Sequence, residues 1–135
     1  MITKYFHKQT VSMLAIAVTV FFSLAPANSS GGEIDPPDTT VQHLLDYVAR
    51  SNLVFIRNSD QYTAKEASEH MKSKYDHFRD KIKTPEEFIK LCATRSLLSG
   101  KPYLVISEHG ETVRTSEWLS AELEAYRNST AAEFH

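Results

Sequence analysis

Apolar residues recur every three or four positions in four stretches of the chain, which is the spacing of helices buried along one side. Three of these stretches open with a capping-box pattern, a threonine followed three positions later by Glu or Gln. The boxes begin at Thr39, Thr63 and Thr84, and the last of them has a proline at the first helical position. The fourth helix is predicted to start at a Ser116 cap and to end near Arg127.

Three short runs of β-branched and aromatic residues predict strands. The first, residues 53–57, lies between the first two helices, and the others, residues 103–106 and 112–114, form a hairpin around His109 and Gly110. The resulting element order is α-β-α-α-β-β-α. One strand separated from a hairpin by two helices predicts a single small α+β domain, in which helices pack on a three-stranded, mainly antiparallel sheet.

A Gly-Lys pair lies directly before the second predicted strand, at Gly100 and Lys101. A phosphate-binding loop would need a further glycine five residues earlier, where this chain has Arg95, and it would follow a strand rather than precede one. Because Pro102 comes next, the pair is predicted to end the third helix, with Gly100 in the left-handed conformation that closes many helices.

The first 27 residues have the three parts of a signal peptide. Lys4 and Lys8 supply the positive start, residues 11–24 form an apolar stretch shorter than a membrane span, and small residues lead to a cleavage site after Ala27. An uncleaved membrane anchor is the alternative. We therefore expect export to the periplasm or secretion, with no stable membrane insertion after cleavage.

Past the predicted cleavage site, the chain divides into a leader, a domain and a tail. Residues 28–38 are rich in Ser, Gly and Pro and predict a flexible leader, residues 39–127 the α+β domain, and residues 128–135 a frayed tail. Of the 15 basic residues cleavage removes two lysines, which leaves 13 against 17 acidic residues. This acidic balance argues against nucleic acid as a partner, because phosphate backbones require a clustered basic surface.

Four stretches of the domain follow a pattern shared with known proteins. They read FIRNSDQYTAKEASEHM (55–71), IKTPEEFIKLCATRS (82–96), SGKPYLV (99–105) and SEWL (116–119). Together they resemble the YfeK-like family, small exported bacterial proteins with a domain of unknown function. The family's tyrosine, alanine and histidine around the second helix correspond to Tyr62, Ala67 and His70. The resemblance implies bacterial export and a shared fold, and it implies no activity.

Polar and aromatic residues near the ends of the predicted strands are the candidate binding residues, because loops that converge there often hold ligands. They are Arg57, Asn58, Tyr62, His70, Lys101 and Tyr103. The Arg57 guanidinium could bind a carboxylate or a phosphate bidentately. Alternatively, Arg57 could pair with Asp60 or Glu66 while Asn58 forms a turn.

His70 leaves two interpretations open. Glu66 lies one turn before it on the predicted helix, which would permit a metal pair, but a metal site needs three or four ligands and the sequence indicates no others. The alternative is a histidine at the edge of the core that is hydrogen-bonded to the backbone.

The residues predict no catalytic constellation, metal site or cofactor motif. They favour a non-enzymatic periplasmic binding or interaction module, whose partner is an envelope ligand or an envelope protein. The alternative is a cell-envelope hydrolase or another metal-dependent enzyme that uses His70 as a general base or ligand.

Overall fold

The computed structural model of the protein describes residues 37–133. The predicted signal peptide and the predicted leader up to residue 36 lie outside the described residues. The α-helices are α1 Pro37–Arg50, α2 Ala64–Phe78, α3 Pro85–Cys92 and α4 Thr115–Glu133, and a short 3-10 turn covers Arg79–Lys81. The strands are β1 Val54–Arg57, β2 Asp60–Tyr62, β3 Leu104–Ile106 and β4 Thr112–Arg114.

The strands of the described region form one antiparallel sheet in the order β2-β1-β3-β4. Strand β1 pairs with β2 on one side and with β3 on the other, and β4 pairs with β3. The predicted α+β class and antiparallel sheet are confirmed. The sheet has four strands rather than three, because the sequence analysis does not predict β2.

Strand β2 forms because the chain reverses at Asn58 and Ser59. Their φ angles are 55° and 76°. Positive φ at both central residues defines a type I′ turn, whose twist matches that of the strands it joins. The turn places Arg57 opposite Asp60. The turn that the alternative interpretation of Arg57 assigns to Asn58 is confirmed, but no strand is predicted after it, although a two-residue link containing asparagine is also a hairpin signal.

Replacing Ser59 with glycine is expected to raise the free energy of unfolding by about 1 kcal/mol. A left-handed backbone costs an L residue roughly 1–2 kcal/mol, and the larger entropy of an unfolded glycine offsets part of that gain. Urea unfolding would measure the change. Ser59→Val should lower stability instead, because a β-branched residue tolerates positive φ poorly. Equal stability of the two variants would contradict the turn assignment.

Local capping signals locate two of the helices correctly. At Thr63 and Thr84 the hydroxyl accepts from the backbone N–H three residues on, and the glutamate there accepts from the threonine N–H. The predicted box at Thr39 is wrong, because α1 already begins at Pro37. Helix α4 starts one residue before its predicted cap and continues through residues 128–133, which the sequence predicts as a frayed tail.

The prediction that Gly100 ends the third helix is wrong. Helix α3 ends at Cys92, and the Thr94 hydroxyl donates to an α3 carbonyl over 2.9 Å. Residues 95–102 then fold into a tight loop whose two ends form a β-bridge, which a continuing helix would prevent. Gly100 has a φ of 69° and donates its N–H to the Ser96 carbonyl over 2.9 Å. The predicted left-handed conformation of Gly100 is confirmed, but it belongs to the loop at residues 95–102 and not to the end of a helix.

The core lies between the helices and the cross-strand pair Phe55 and Val105. Phe88 of α3 is its largest fully buried side chain, and it meets Tyr75 of α2 edge to face with 5.8 Å between ring centres.

Burial raises the pKa of the Cys92 thiol to about 12, which makes Cys92 an unreactive core residue. No helix among residues 37–133 is long and apolar enough to cross a membrane.

Candidate functional site

A cleft of about 270 Å³ lies between α2 and the strands β1, β2 and β3, and we call it the Arg57 cleft. It brings together four of the six candidate binding residues, which come from four separate parts of the chain. These residues are Arg57, Tyr62, His70 and Tyr103, and apolar side chains such as Phe55 and Met71 complete the wall. Polar groups that converge on an apolar hollow of this size are typical of small-molecule sites.

Arg57, at the end of β1, is the centre of the cleft's hydrogen bonds. Its Nη1 lies 2.8 Å from Nδ1 of His70, and its Nη2 donates to the Tyr62 hydroxyl over 3.1 Å. The guanidinium carbon lies 4.7 Å from the centre of the Tyr62 ring, which adds a cation–π contact. Hairpin β1–β2 places the two side chains together, because Tyr62 pairs with Phe55 while Arg57 pairs with Asp60.

His70 connects Arg57 to Tyr103. Its Nε2 lies 3.1 Å from the Tyr103 hydroxyl. Arginine can only donate, so the ring nitrogen that accepts from it carries no proton. Nη1 of Arg57 lies 3.0 Å from Nε2 as well as 2.8 Å from Nδ1. We assign the neutral tautomer in which the nearer Nδ1 accepts from Arg57 and Nε2–H donates to Tyr103, because the other tautomer leaves Nδ1–H without an acceptor. The site thus contains a histidine with both nitrogens in use.

Burial and neighbouring cations keep His70 neutral. Its pKa is lowered first by burial and then by the positive charges of Arg57 and Lys74. Lys74 is 7% exposed, donates to the Arg95 carbonyl over 3.1 Å and lies 5.0 Å from the centre of the Tyr103 ring. Burial also lowers the pKa of Lys74, and Arg57 lowers it further. The cluster therefore has two cationic side chains around a neutral ring.

None of the carboxylates in residues 37–133 forms an ion pair with either cation. The alternative in which Arg57 pairs with Asp60 or Glu66 is therefore wrong. The Glu66 carboxylate is engaged elsewhere, because it accepts from the Thr63 N–H over 2.8 Å. Nε of Arg57 is buried and has no hydrogen-bond partner. The Arg57 guanidinium therefore keeps N–H donors that no acceptor of the cleft uses.

We expect the free energy of unfolding to fall as the pH is lowered below about 6.5, because of His70. Its pKa is depressed in the folded state, so the unfolded chain binds the proton first, and the contribution present above pH 6.5 disappears on acidification. Urea midpoints at pH 7, 6 and 5 should therefore fall more for the natural chain than for His70→Gln. His77→Gln, on an exposed position of α2, is the matched control and should keep the natural dependence. Identical dependence in both variants would contradict the assignment.

The other two candidate residues, Asn58 and Lys101, lie outside the Arg57 cleft. The Asn58 side-chain oxygen accepts from the Ser99 hydroxyl, which joins the β1–β2 turn to the loop at residues 95–102. Lys101 is exposed, and its backbone N–H donates to the Ser99 hydroxyl over 3.2 Å. Asn58 therefore connects two loops, whereas the Lys101 contact lies within the loop at residues 95–102.

A second cleft of about 500 Å³ lies between α1, the start of α4 and the β3–β4 turn. Tyr47 and Trp118 stack there with 4.6 Å between ring centres, and Nε2 of His43 lies 2.6 Å from a Glu122 oxygen. The sequence analysis does not predict this cleft, because its aromatic residues occupy core-facing helical positions.

The metal interpretation of Glu66 and His70 gains no further ligands from the fold. Within the part of the chain that the structure describes, no group of three or more His, Cys, Asp or Glu side chains is arranged to hold a metal ion. His70 instead donates to and accepts from neighbouring side chains. Its predicted backbone hydrogen bond is replaced by these side-chain contacts.

Comparison with known proteins gives a family and no activity. The uncharacterized protein YfeK of Salmonella typhimurium (strain LT2) is 39% identical over 54 residues, which cover 40% of this chain and 45% of that relative. The match thus spans less than half of YfeK's length. No solved structure matches the chain. Residues 35–127 match the model of a family of unknown function, DUF5329. Since this match covers more than half of the sequence, the chain belongs to the DUF5329 family.

Proposed function

We propose that this protein is an exported bacterial binding module that holds a small envelope ligand, or a short part of an envelope partner, in the Arg57 cleft without altering it chemically. The observation that carries the proposal is the convergence of Arg57, Tyr62, His70 and Tyr103 on one apolar-walled hollow. Arg57 lies 13 positions before His70 in the sequence and Tyr103 lies 33 positions after it, so their contacts with His70 depend on the fold.

The hydrogen bonding of His70 favours binding over catalysis. A general base or metal ligand uses an unprotonated ring nitrogen that can reach the reacting group or the metal, and in the assigned tautomer of His70 that nitrogen is Nδ1. Here Nδ1 accepts from Arg57 and Nε2 is within 3.1 Å of the Tyr103 hydroxyl. His70 therefore serves to position Arg57 and Tyr103.

A thermal-shift screen of the exported protein tests this proposal. The panel contains peptidoglycan fragments, lipid headgroups, short peptides and divalent metals. A ligand at about a hundred times its dissociation constant adds roughly 2.7 kcal/mol, which is several degrees for a domain of this size. We expect at least one compound to raise the Tm of the natural chain and of Arg114→Ala, an exposed control, but not of Arg57→Ala/His70→Ala.

Three results of the screen would contradict the proposal. One is a panel in which nothing raises the Tm. Another is a shift that the double variant retains in full, because binding would then occur elsewhere. The third is recovery of the bound compound in a chemically altered form, which would favour the enzyme alternative.

Export is expected to remove residues 1–27, because Lys4, Lys8 and the apolar stretch before Ala27 have the signal-peptide pattern. Cell fractionation followed by intact-mass measurement should recover a periplasmic or secreted chain that starts at Asn28. Ala27→Phe, which removes the small residue at the cleavage site, should remain uncut. An uncut natural chain in the membrane fraction would contradict the expectation and support the anchor alternative.

A further inference from the structure

We propose that the ligand of the Arg57 cleft is a small molecule with a carboxylate, which binds the Arg57 guanidinium, and an apolar group, which packs on the cleft wall. This inference rests on the proposed binding function and adds the chemical class of the ligand. Four features of the cleft support it: its charge, its unused donors, its rim and its wall.

The cations near the cleft have no anionic partner within the described residues. Charged side chains that leave water are normally paired with an opposite charge, because an unpaired charge is costly in a low dielectric. Lys74 is 7% exposed and Arg57 is half-buried, yet neither forms an ion pair with a carboxylate of residues 37–133. Lys74 has the Arg95 carbonyl and does not line the cleft, so the group left without an anionic partner there is the Arg57 guanidinium.

The Arg57 guanidinium keeps unused donors. Of its five N–H hydrogens, Nη1 gives one to His70 and Nη2 gives one to the Tyr62 hydroxyl, so each of these two nitrogens keeps one for another acceptor. Tyr62 accepts from Arg57, so its own proton is available to another acceptor. A ligand with two acceptor oxygens complements these groups, because guanidinium binds carboxylates through two parallel N–H bonds.

Two carboxylates of the same cleft favour a carboxylate ligand over a phosphate. Glu66 and Glu69 line the cleft, and Glu69 is 67% exposed at its side chain. Their two negative charges balance those of Arg57 and Lys74, so no net positive charge remains to attract a dianion more strongly than a monoanion. A singly charged carboxylate therefore suits this mixed environment better than an inorganic phosphate.

The apolar wall of the cleft indicates the chemistry of the rest of the ligand. Phe55, Met71 and Leu104 form the apolar part of the wall. Apolar surface of this kind gains free energy when a hydrocarbon group covers it, and methionine adapts to irregular shapes. A volume of about 270 Å³ suits a short aliphatic or aromatic chain rather than a long polymer.

Matched acid and amide probes test the inference. Hexanoate and hexanamide share an apolar chain and differ in charge, and inorganic phosphate supplies charge without a chain. Titration by calorimetry and backbone-amide NMR on the exported protein should show hexanoate bound in the Arg57 cleft. Hexanamide and phosphate should bind at least tenfold more weakly. Arg57→Gln should weaken hexanoate binding at least tenfold, whereas the exposed control Arg114→Gln should leave it unchanged.

The outcomes separate this inference from the proposed function. Equal binding of acid and amide, stronger binding of phosphate, or resonance shifts outside the cleft would overturn the carboxylate assignment. If a neutral saccharide or peptide bound instead and Arg57→Ala/His70→Ala abolished its binding, the binding function would stand without the carboxylate. Should Arg57→Gln fail to fold, Arg57→Lys keeps the charge but lacks the two-pronged geometry, and unchanged hexanoate affinity in it would also count against the inference.

Discussion

Phe88→Ala is expected to lower the free energy of unfolding by about 3–5 kcal/mol, the cost of removing a fully buried phenyl ring. Phe88 is 0% exposed in the centre of the core and contacts Tyr75 edge to face. Domains of this size are stable by roughly 5–15 kcal/mol in total, so the variant should be only marginally folded. Urea unfolding followed by far-ultraviolet circular dichroism would measure the loss.

Phe78 provides the matched control for this substitution. It undergoes the same chemical change but lies at the end of α2, where its side chain is only partly buried against the core. Phe78→Ala leaves a hollow open to water instead of an enclosed cavity, so it should cost less than Phe88→Ala. An equal or larger loss in Phe78→Ala would mean that the core is centred elsewhere.

The parts of the fold that the sequence predicts correctly depend on nearby residues. The capping boxes at Thr63 and Thr84 close through hydrogen bonds between positions three apart, so local pattern suffices to find them. The end of α3 depends instead on the β-bridge between Arg95 and Pro102, which competes with continued helix. Strand pairing of this kind is set by tertiary contacts, so the local pattern assigns Gly100 to a helix end instead of to the loop it occupies.

In the candidate site, too, the sequence predicts the residues that depend on local pattern and misses those that depend on tertiary contacts. Tyr62 and His70 were found because they lie beside a recognisable strand and helix, and their family pattern agrees. Lys74 was missed, although its spacing of four from His70 places it on the same side of α2. The absence of a carboxylate partner for Arg57 among residues 37–133 depends on where every acidic side chain ends up. Sequence alone leaves that open.

Supplying the missing anion within the chain should stabilise the protein. In His70→Glu a carboxylate replaces the ring that accepts from Arg57, while His70→Gln has nearly the same shape without the charge. Both side chains can accept from Arg57, so the variants differ by the charge alone, and a half-buried ion pair should make the glutamate variant more stable by about 1 kcal/mol at pH 7. Urea midpoints of the two variants would give the difference.

The pH dependence of that difference identifies its source. A glutamate paired with Arg57 has a pKa below its unfolded value of about 4.3, so its stabilisation is present above that pH and is lost as pH falls. Ser73→Glu and Ser73→Gln, at an exposed position of α2, should show no such gap. The glutamate variant should also fail to bind hexanoate, because its own carboxylate occupies the guanidinium. A glutamate variant no more stable than the glutamine variant at pH 7 would show that Arg57 does not lack an anion.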